Sequence, residues 1–200
     1  FDLIKQLVMI ETPTSDKPAN DHISSIAAQL LRDLGGEVVI HPQEIFGDHI
    51  TSDWPTNSGL NNKPHALIVG HLDTVWPFGT LERMGYEERD GRLYAPGVLD
   101  MKAGISTLII GLRTLRDNNL WPDRPIKVLF NTDEEVGSPS SRPLVEQSAQ
   151  GAEYALIMEP GQGESGALKT ERKGLGEFRI LVEGKASHAG AFPERGTSAI

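Results

Sequence analysis

An imidazole and several carboxylates stand directly behind short apolar runs in this sequence. Residues 66–69 lead into Gly70-His71-Leu72-Asp73. On an extended chain His71 and Asp73 share parity, so both side chains can face one side. His71 is then a candidate metal ligand, and Asp73 a candidate acceptor that fixes its tautomer through the other ring N–H. Asp100 lies between the apolar pair Val98-Leu99 and a helix start. There it is either an N-cap or a carboxylate bridging two ions. Residues 126–130 run into Asp133-Glu134-Glu135, three adjacent carboxylates that need either a solvated turn or a cation between them. Residues 154–158 run into Glu159. Imidazole with carboxylates, and no cysteine in the chain, is the donor set of a catalytic site for zinc, manganese or cobalt rather than of structural zinc. Two divalent ions would account for the carboxylate excess: one Asp bridges them, and one Glu stays uncoordinated as general base. Taken alone, Asp100 is as readily a cap, and His71 with Asp73, the acidic run and Glu159 are more readily a polar strand end, a solvated loop and a structural residue. Their recurrence after successive elements gives them weight.

The elements that must position these groups are legible from periodicity. Phe1, Ile4, Leu7 and Val8 recur at helical spacing, and Thr12-Pro13 ends that helix. Residues 18–34 read as a second helix, stopped by Gly35-Gly36. Residues 37–41 read as a short strand, and the Pro-, Asn-, Gly- and Ser-bearing stretch 42–64 as an exposed loop. Strands at 66–69, 126–130 and 154–158 then alternate with helices at 102–116 and 139–149. This predicts an α/β fold, a three-layer sheet with helices on both faces. Such sheets bind ligands beyond the carboxyl ends of their strands, where His71, Glu134, Glu135 and Glu159 fall. Residues 174–184 alternate like the first strand of another unit.

Bulk properties narrow the function classes. The chain has 200 residues, 38% of them hydrophobic, enough for a globular core. Its formal charge of −9 argues against a nucleic-acid footprint or an anionic membrane surface. No apolar run reaches membrane-spanning length, and no signal peptide is visible, although the chain begins at Phe1 rather than Met. These features read as a soluble protein. With no cysteine, its compartment stays open between the cytoplasm and the periplasm or exterior.

The stretches "GHLDTV", "PGVLDMKAG", "VLFNTDEEVGS", "YALIMEP" and "GKASHAG" resemble, in order and spacing, the dinuclear-zinc peptidases. That family includes glutamate carboxypeptidases of the carboxypeptidase G type, aminoacylases, acetylornithine deacetylase and succinyl-diaminopimelate desuccinylase. "VLFNTDEEVGSPSSR" most resembles the glutamate carboxypeptidase branch. The resemblance implies a metal-dependent hydrolase that cleaves an amide bond to a C-terminal or N-acylated amino acid, in small peptides or N-acyl amino acids. It implies that His71, Asp100 and Glu159 hold one zinc ion and Asp100 and Glu135 the other. Glu134 is then the base, and Asp73 orients His71. It also implies a cis bond at Asp100-Met101. His188 would belong to an inserted lid and help bind substrate or steady the oxyanion. One departure is Lys102-Ala103-Gly104 where the family has Lys-Gly-Gly. His22, His41, His49 and His65 match no motif and read as surface or structural.

On the same resemblance, residues 1–172 are the N-terminal part of the catalytic domain. Residues 173–200 begin an α+β lid that also forms a homodimer, with its first helix starting at Pro193. The family takes one further histidine ligand from beyond the lid, so the expectation is an N-terminal piece of a longer enzyme. Two rivals remain. One is a non-catalytic metal-binding fragment. The other is a dinucleotide oxidoreductase, since Gly161-Gln-Gly163-Glu-Ser-Gly166 fits GxGxxG, but that motif needs a helix opening at its third glycine.

Overall fold

A computed structural model describes residues 1–55, 63–174, 176 and 178–199. The chain divides into two compact units, Phe1–Gly161 and Gln162–Ile200. The first opens with helices α1 (Asp2–Val8) and α2 (Lys17–Asp33) and strands β1 (Glu37–His41), β2 (His49–Trp54) and β3 (His65–His71). Helix α3 (Thr80–Met84) and the ribbon β4 (Glu87–Arg89) and β5 (Arg92–Tyr94) follow. A kinked turn, Val98–Lys102, with non-helical backbone at Asp100 and Met101, leads into α4 (Ala103–Asp117). Strand β6 (Ile126–Asn131), helix α5 (Arg142–Ala149) and strand β7 (Ala152–Ile157) complete the unit.

Five strands form one mixed sheet in the order β1-β2-β6-β3-β7. β3 runs parallel to both β6 and β7, while β2 is antiparallel to β1 and β6. Ile126, Val128 and Phe130 of β6 turn one parity toward a core shared with Leu7 of α1, Ile23, Ala27 and Leu31 of α2, and Ile105 and Ile109 of α4. Leu67 and Leu129 have the opposite parity and are also buried. α5 packs against β6 and β7, and His65 Nε2 hydrogen-bonds the Ser148 carbonyl of α5 at 2.8 Å on that other face. The helices thus lie on both sides of the sheet, as the alternation predicts.

The expected loop at 42–64 is corrected by β2. His49–Trp54 is a buried strand between β1 and β6. The sequence HITSDW hides it because polar side chains are buried there as well as apolar ones. Hydrogen bonds satisfy several of them: His49 Nε2 meets Ser140 Oγ at 2.9 Å, and Thr51 Oγ1 meets His41 Nε2 at 2.8 Å. Residues 56–62 of the same stretch lie outside the described residues.

The second unit is held by an antiparallel bridge between Lys185 and Thr197 and by a turn closed between Gln162 and Ala167. Gly163 and Gly166 take positive φ in that turn, and no helix opens on Gly166 among the described residues. The dinucleotide reading therefore lacks its structural context. No strand is assigned across 174–184 among the described residues, and positions 175 and 177 of that expected strand lie outside them. Pro193–Arg195 forms a short 3-10 turn.

Candidate metal centre

Parallel pairing explains why the separated motifs meet. His71 pairs with Asn131 across β3 and β6, Val69 pairs with Ile157 across β3 and β7, and Met158 N donates to the Val69 carbonyl at 2.9 Å. All three strands end together, so His71, the 133–135 turn and Glu159 emerge at one pole of the sheet. Asp100 reaches the same pole from the turn before α4. The bond between Asp100 and Met101 is cis, as the resemblance implies. Met101 is buried, and its Sδ accepts the His71 N–H at 3.2 Å.

His71 is the hub. Its Nε2 lies 2.9 Å from Asp100 Oδ1, 3.4 Å from Glu159 Oε1 and 3.9 Å from Glu134 Oε2. Two sets of donor atoms each converge within 4.8 Å: His71, Glu134 and Glu159, and His71, Asp100 and Glu135. The expected positions therefore come together. However, the donor geometry groups Glu134 with Glu159 and Asp100 with Glu135, whereas the resemblance groups Asp100 with Glu159 and leaves Glu134 free.

Asp73 is fully buried and does more than face His71. Its backbone carbonyl lies 3.0 Å from His71 Nδ1 and its Oδ1 3.4 Å. Its carboxylate also accepts the backbone N–H of Glu134 at 3.3 Å and of Glu135 at 3.2 Å, and the Thr14 hydroxyl at 2.7 Å. Asp133 is buried in the opposite direction. Its Oδ2 accepts the Ser140 N–H and hydroxyl, both at 2.7 Å, and the Ser141 N–H at 3.0 Å. Burial raises its pKa, but those serine hydrogen bonds outweigh it and hold the carboxyl below the ordinary range. Asp133 thus anchors the turn, and the next two residues, Glu134 and Glu135, place carboxylate oxygens in the cluster.

The electrostatics favour a cation. Burial works to lower the His71 pKa, but hydrogen bonds to Asp73 and Glu159 and the charges of Asp73 and Glu134 push it up to about 11. Burial, then the Asp100 charge, pushes Glu135 up to about 7. Burial also raises Glu134; the His71 charge opposes the shift and Glu159 adds to it. One buried imidazole and four carboxylates crowd together, and all are oxygen or nitrogen donors of the kind that binds a divalent ion. The residues present fit a metal.

Comparison with known proteins agrees with this geometry. Residues 67–185 match peptidase family M20/M25/M40. Carboxypeptidase G2 of Pseudomonas sp. (strain RS-16) is 33% identical over 199 residues, covering 98% of this chain and 47% of that protein. The chain belongs to peptidase family M20/M25/M40. Acetylornithine deacetylase of Photorhabdus laumondii is 28% identical over 210 residues, covering 100% of this chain and 51% of that protein. This M20/M25/M40 chain thus spans about half the length of the curated relatives it matches. Its fold is similar to that of aminopeptidase PepT from Bacillus cereus, with TM-score 0.70 and 20% identity over 99% of this chain and 52% of that one. A tripeptidase from Staphylococcus aureus gives TM-score 0.71 and 18% identity, with the same coverage.

Two buried polar side chains, Thr14 and Lys102, escape a reading of the sequence. Thr14 lay hidden in what reads as a helix stop. Lys102 is a fully buried lysine whose Nζ donates to the Ile10 carbonyl. Burial lowers its pKa to about 8, against the raising charge of Glu11. Only its place directly behind Asp100 could have pointed to it. His188 lies exposed in the second unit, where its Nδ1 accepts the N–H groups of Gly190 at 3.3 Å and Ala191 at 3.0 Å. His41, His49 and His65 make the structural hydrogen bonds given above, and His22 is exposed. Among the described residues no helix is long and apolar enough to cross a membrane.

Proposed function

We propose that the protein to which this chain belongs is a metal-dependent amidohydrolase. It releases an amino acid bearing a free carboxylate from a small peptide or N-acyl amino acid, in the manner of a glutamate carboxypeptidase. The observation that carries this reading is the convergence of His71, Asp100, Glu134, Glu135 and Glu159 at the carboxyl ends of three parallel strands. His71, Asp100, Glu135 and Glu159 are the ligands proposed for two zinc ions, with manganese or cobalt as substitutes. When bound, such ions supply Lewis acidity and lower the pKa of water.

The chain's own residues do the rest. Glu134, its carboxyl raised by burial, takes the proton of the attacking water and passes it to the leaving nitrogen. Asp73 holds Glu134 in place through its backbone N–H. In neutral His188, acceptance of two N–H groups at Nδ1 leaves the proton on Nε2, which suits that atom to donate to a developing oxyanion. Residues 173–200 are proposed as the start of a lid through which two copies associate, a reading that sedimentation of the full-length protein tests.

The deciding experiment is hydrolysis of N-acyl amino acids by the zinc-loaded full-length protein and its Glu134→Gln variant. Loss of a positioned general base costs on the order of 10²–10⁴-fold in kcat. A Glu134→Gln enzyme as fast as the parent would overturn the assignment.

A further inference from the structure

The loop bearing Glu134 and Glu135 leaves β6 at Thr132 and reaches Ser140 before α5, and one side chain of another strand touches both ends. His49 of β2 is buried, 1% exposed. Its Nδ1 lies 3.2 Å from the Thr132 hydroxyl and its Nε2 2.9 Å from the Ser140 hydroxyl. Hydrogen-bond directions fix what the ring must do. A carbonyl oxygen only accepts, so the Thr132 hydroxyl proton goes to the Gly47 carbonyl. The Ser140 hydroxyl lies 2.7 Å from Asp133 Oδ2. The N–H groups of Ser140, at 2.7 Å, and Ser141, at 3.0 Å, already point at that oxygen. It is therefore an acceptor, and the Ser140 proton goes to it. Both hydroxyls thus meet the imidazole with a lone pair. A neutral ring has one N–H and would set its bare nitrogen against an oxygen lone pair, whereas a doubly protonated ring donates to both.

Charges around the ring pull both ways. Burial draws the His49 pKa below its ordinary value; the Asp133 charge opposes that, His41 adds to it, and the Asp73 and Asp48 charges oppose it. Asp48 is itself paired with Lys17 at 2.7 Å. The two hydroxyls act on the side of the charged ring, because discharging it turns one hydrogen bond into a contact between lone pairs. We infer that His49 is a doubly protonated positioning residue: from behind the site it ties together both ends of the 132–140 loop, with Asp133 as its counter-ion through Ser140, and so fixes where Glu134 stands. The tie itself is independent of any activity. Its service to Glu134 rests on the proposed hydrolase reading.

The test uses the zinc-loaded full-length protein, its histidine rings labelled with nitrogen-15, near neutral pH. The His49 signals are those lost in His49→Gln. Two ring nitrogens of nearly equal shift, each bearing a proton, are expected; a neutral tautomer, its two nitrogens far apart in shift, overturns the inference. Backbone hydrogen exchange across 132–141, read by mass spectrometry, should be at least about tenfold faster in His49→Gln, with α4 exchanging as in the parent. On N-acyl amino acids kcat should fall about tenfold with KM nearly unchanged, as when a base is displaced and substrate contacts are kept. Ser140→Ala removes the acceptor at Nε2 and keeps the backbone donors to Asp133, so it replaces His49→Gln if that variant does not fold. Its His49 should lose one ring proton, and its loop should exchange faster. Unchanged loop exchange, exchange raised equally in α4, or an unchanged kcat overturns the inference. The expected ring signals and loop exchange in a protein that hydrolyses no N-acyl amino acid would keep the tie and remove the hydrolase reading.

Discussion

The carboxylate of Asp73 accepts the backbone N–H of Glu134 at 3.3 Å. A residue at the end of one strand thereby sets the position of the proposed base at the end of its neighbour. The same carboxylate holds Glu135 N–H and the Thr14 hydroxyl, so three donors depend on one buried anion.

Replacing Asp73 with Ala should therefore cost more than an oriented imidazole. Stripping one partner from a buried charged cluster costs on the order of 3 kcal/mol, and losing support behind ligands weakens metal binding about 10–100-fold. Urea unfolding of the metal-free full-length protein reads the first, and competitive zinc titration the second. An unchanged zinc affinity would mean that Asp73 serves the fold alone.

Asp133 and Glu134 should separate cleanly although they are adjacent. Asp133→Ala leaves the Ser140 and Ser141 donors without their acceptor, at about 1–3 kcal/mol per stranded buried group. It should lower the unfolding midpoint markedly. Glu134→Gln should leave the midpoint nearly unchanged while abolishing most turnover. Thermal melts of both variants check the contrast.

Gly104 and Ala103 should also differ. A Cβ on Gly104 would collide with the Met158 carbonyl oxygen, the residue before Glu159. Gly104→Ala should cost about 1–3 kcal/mol, as overpacking does, and displace Glu159, weakening zinc binding. Ala103→Gly should change stability by no more than about 1 kcal/mol, with zinc affinity intact. Stability and zinc titration of the two variants decide it.

Metal affinity should rise with pH through neutrality. Glu135 holds its proton up to about 7 rather than near its ordinary 4.5, and His71 up to about 11. Both must release protons to become ligands. Zinc binding at pH 6 should therefore release more than one proton, seen as a buffer-dependent calorimetric enthalpy. Between pH 4.5 and about 7 the folded metal-free protein binds more protons at Glu135 than the unfolded chain. Its stability from this group should accordingly fall as pH rises through that window. Glu135→Gln should flatten that part of the profile.

Much of this was legible beforehand because it is local. Helical spacing in residues 1–8 and 18–34 and the apolar runs before His71 and Asp133 reflect packing against one core, and packing imposes a period on sequence. β2 escaped because His49–Trp54 buries polar groups, and their hydrogen-bond partners, such as Ser140 for His49, are distant in the chain. Lys102 and Thr14 escaped for the same reason: a partner some 60 or 90 residues away leaves no local mark.

By itself the sequence determined the alternation of strands and helices and the residue types available to a metal. Those follow from side-chain chemistry and from periods of two and 3.6 residues. Only the tertiary structure decided which carboxylates share a space. Parallel register brings the ends of β3, β6 and β7 level, and the Asp100 turn then completes the cluster. It also sets Asp133 apart from the next two residues, because Ser140 and Ser141 donate to its carboxylate while Asp73 accepts the backbone N–H groups of Glu134 and Glu135. Electrostatic and hydrogen-bond energies depend on distances through space, and a linear order of residues does not contain those distances.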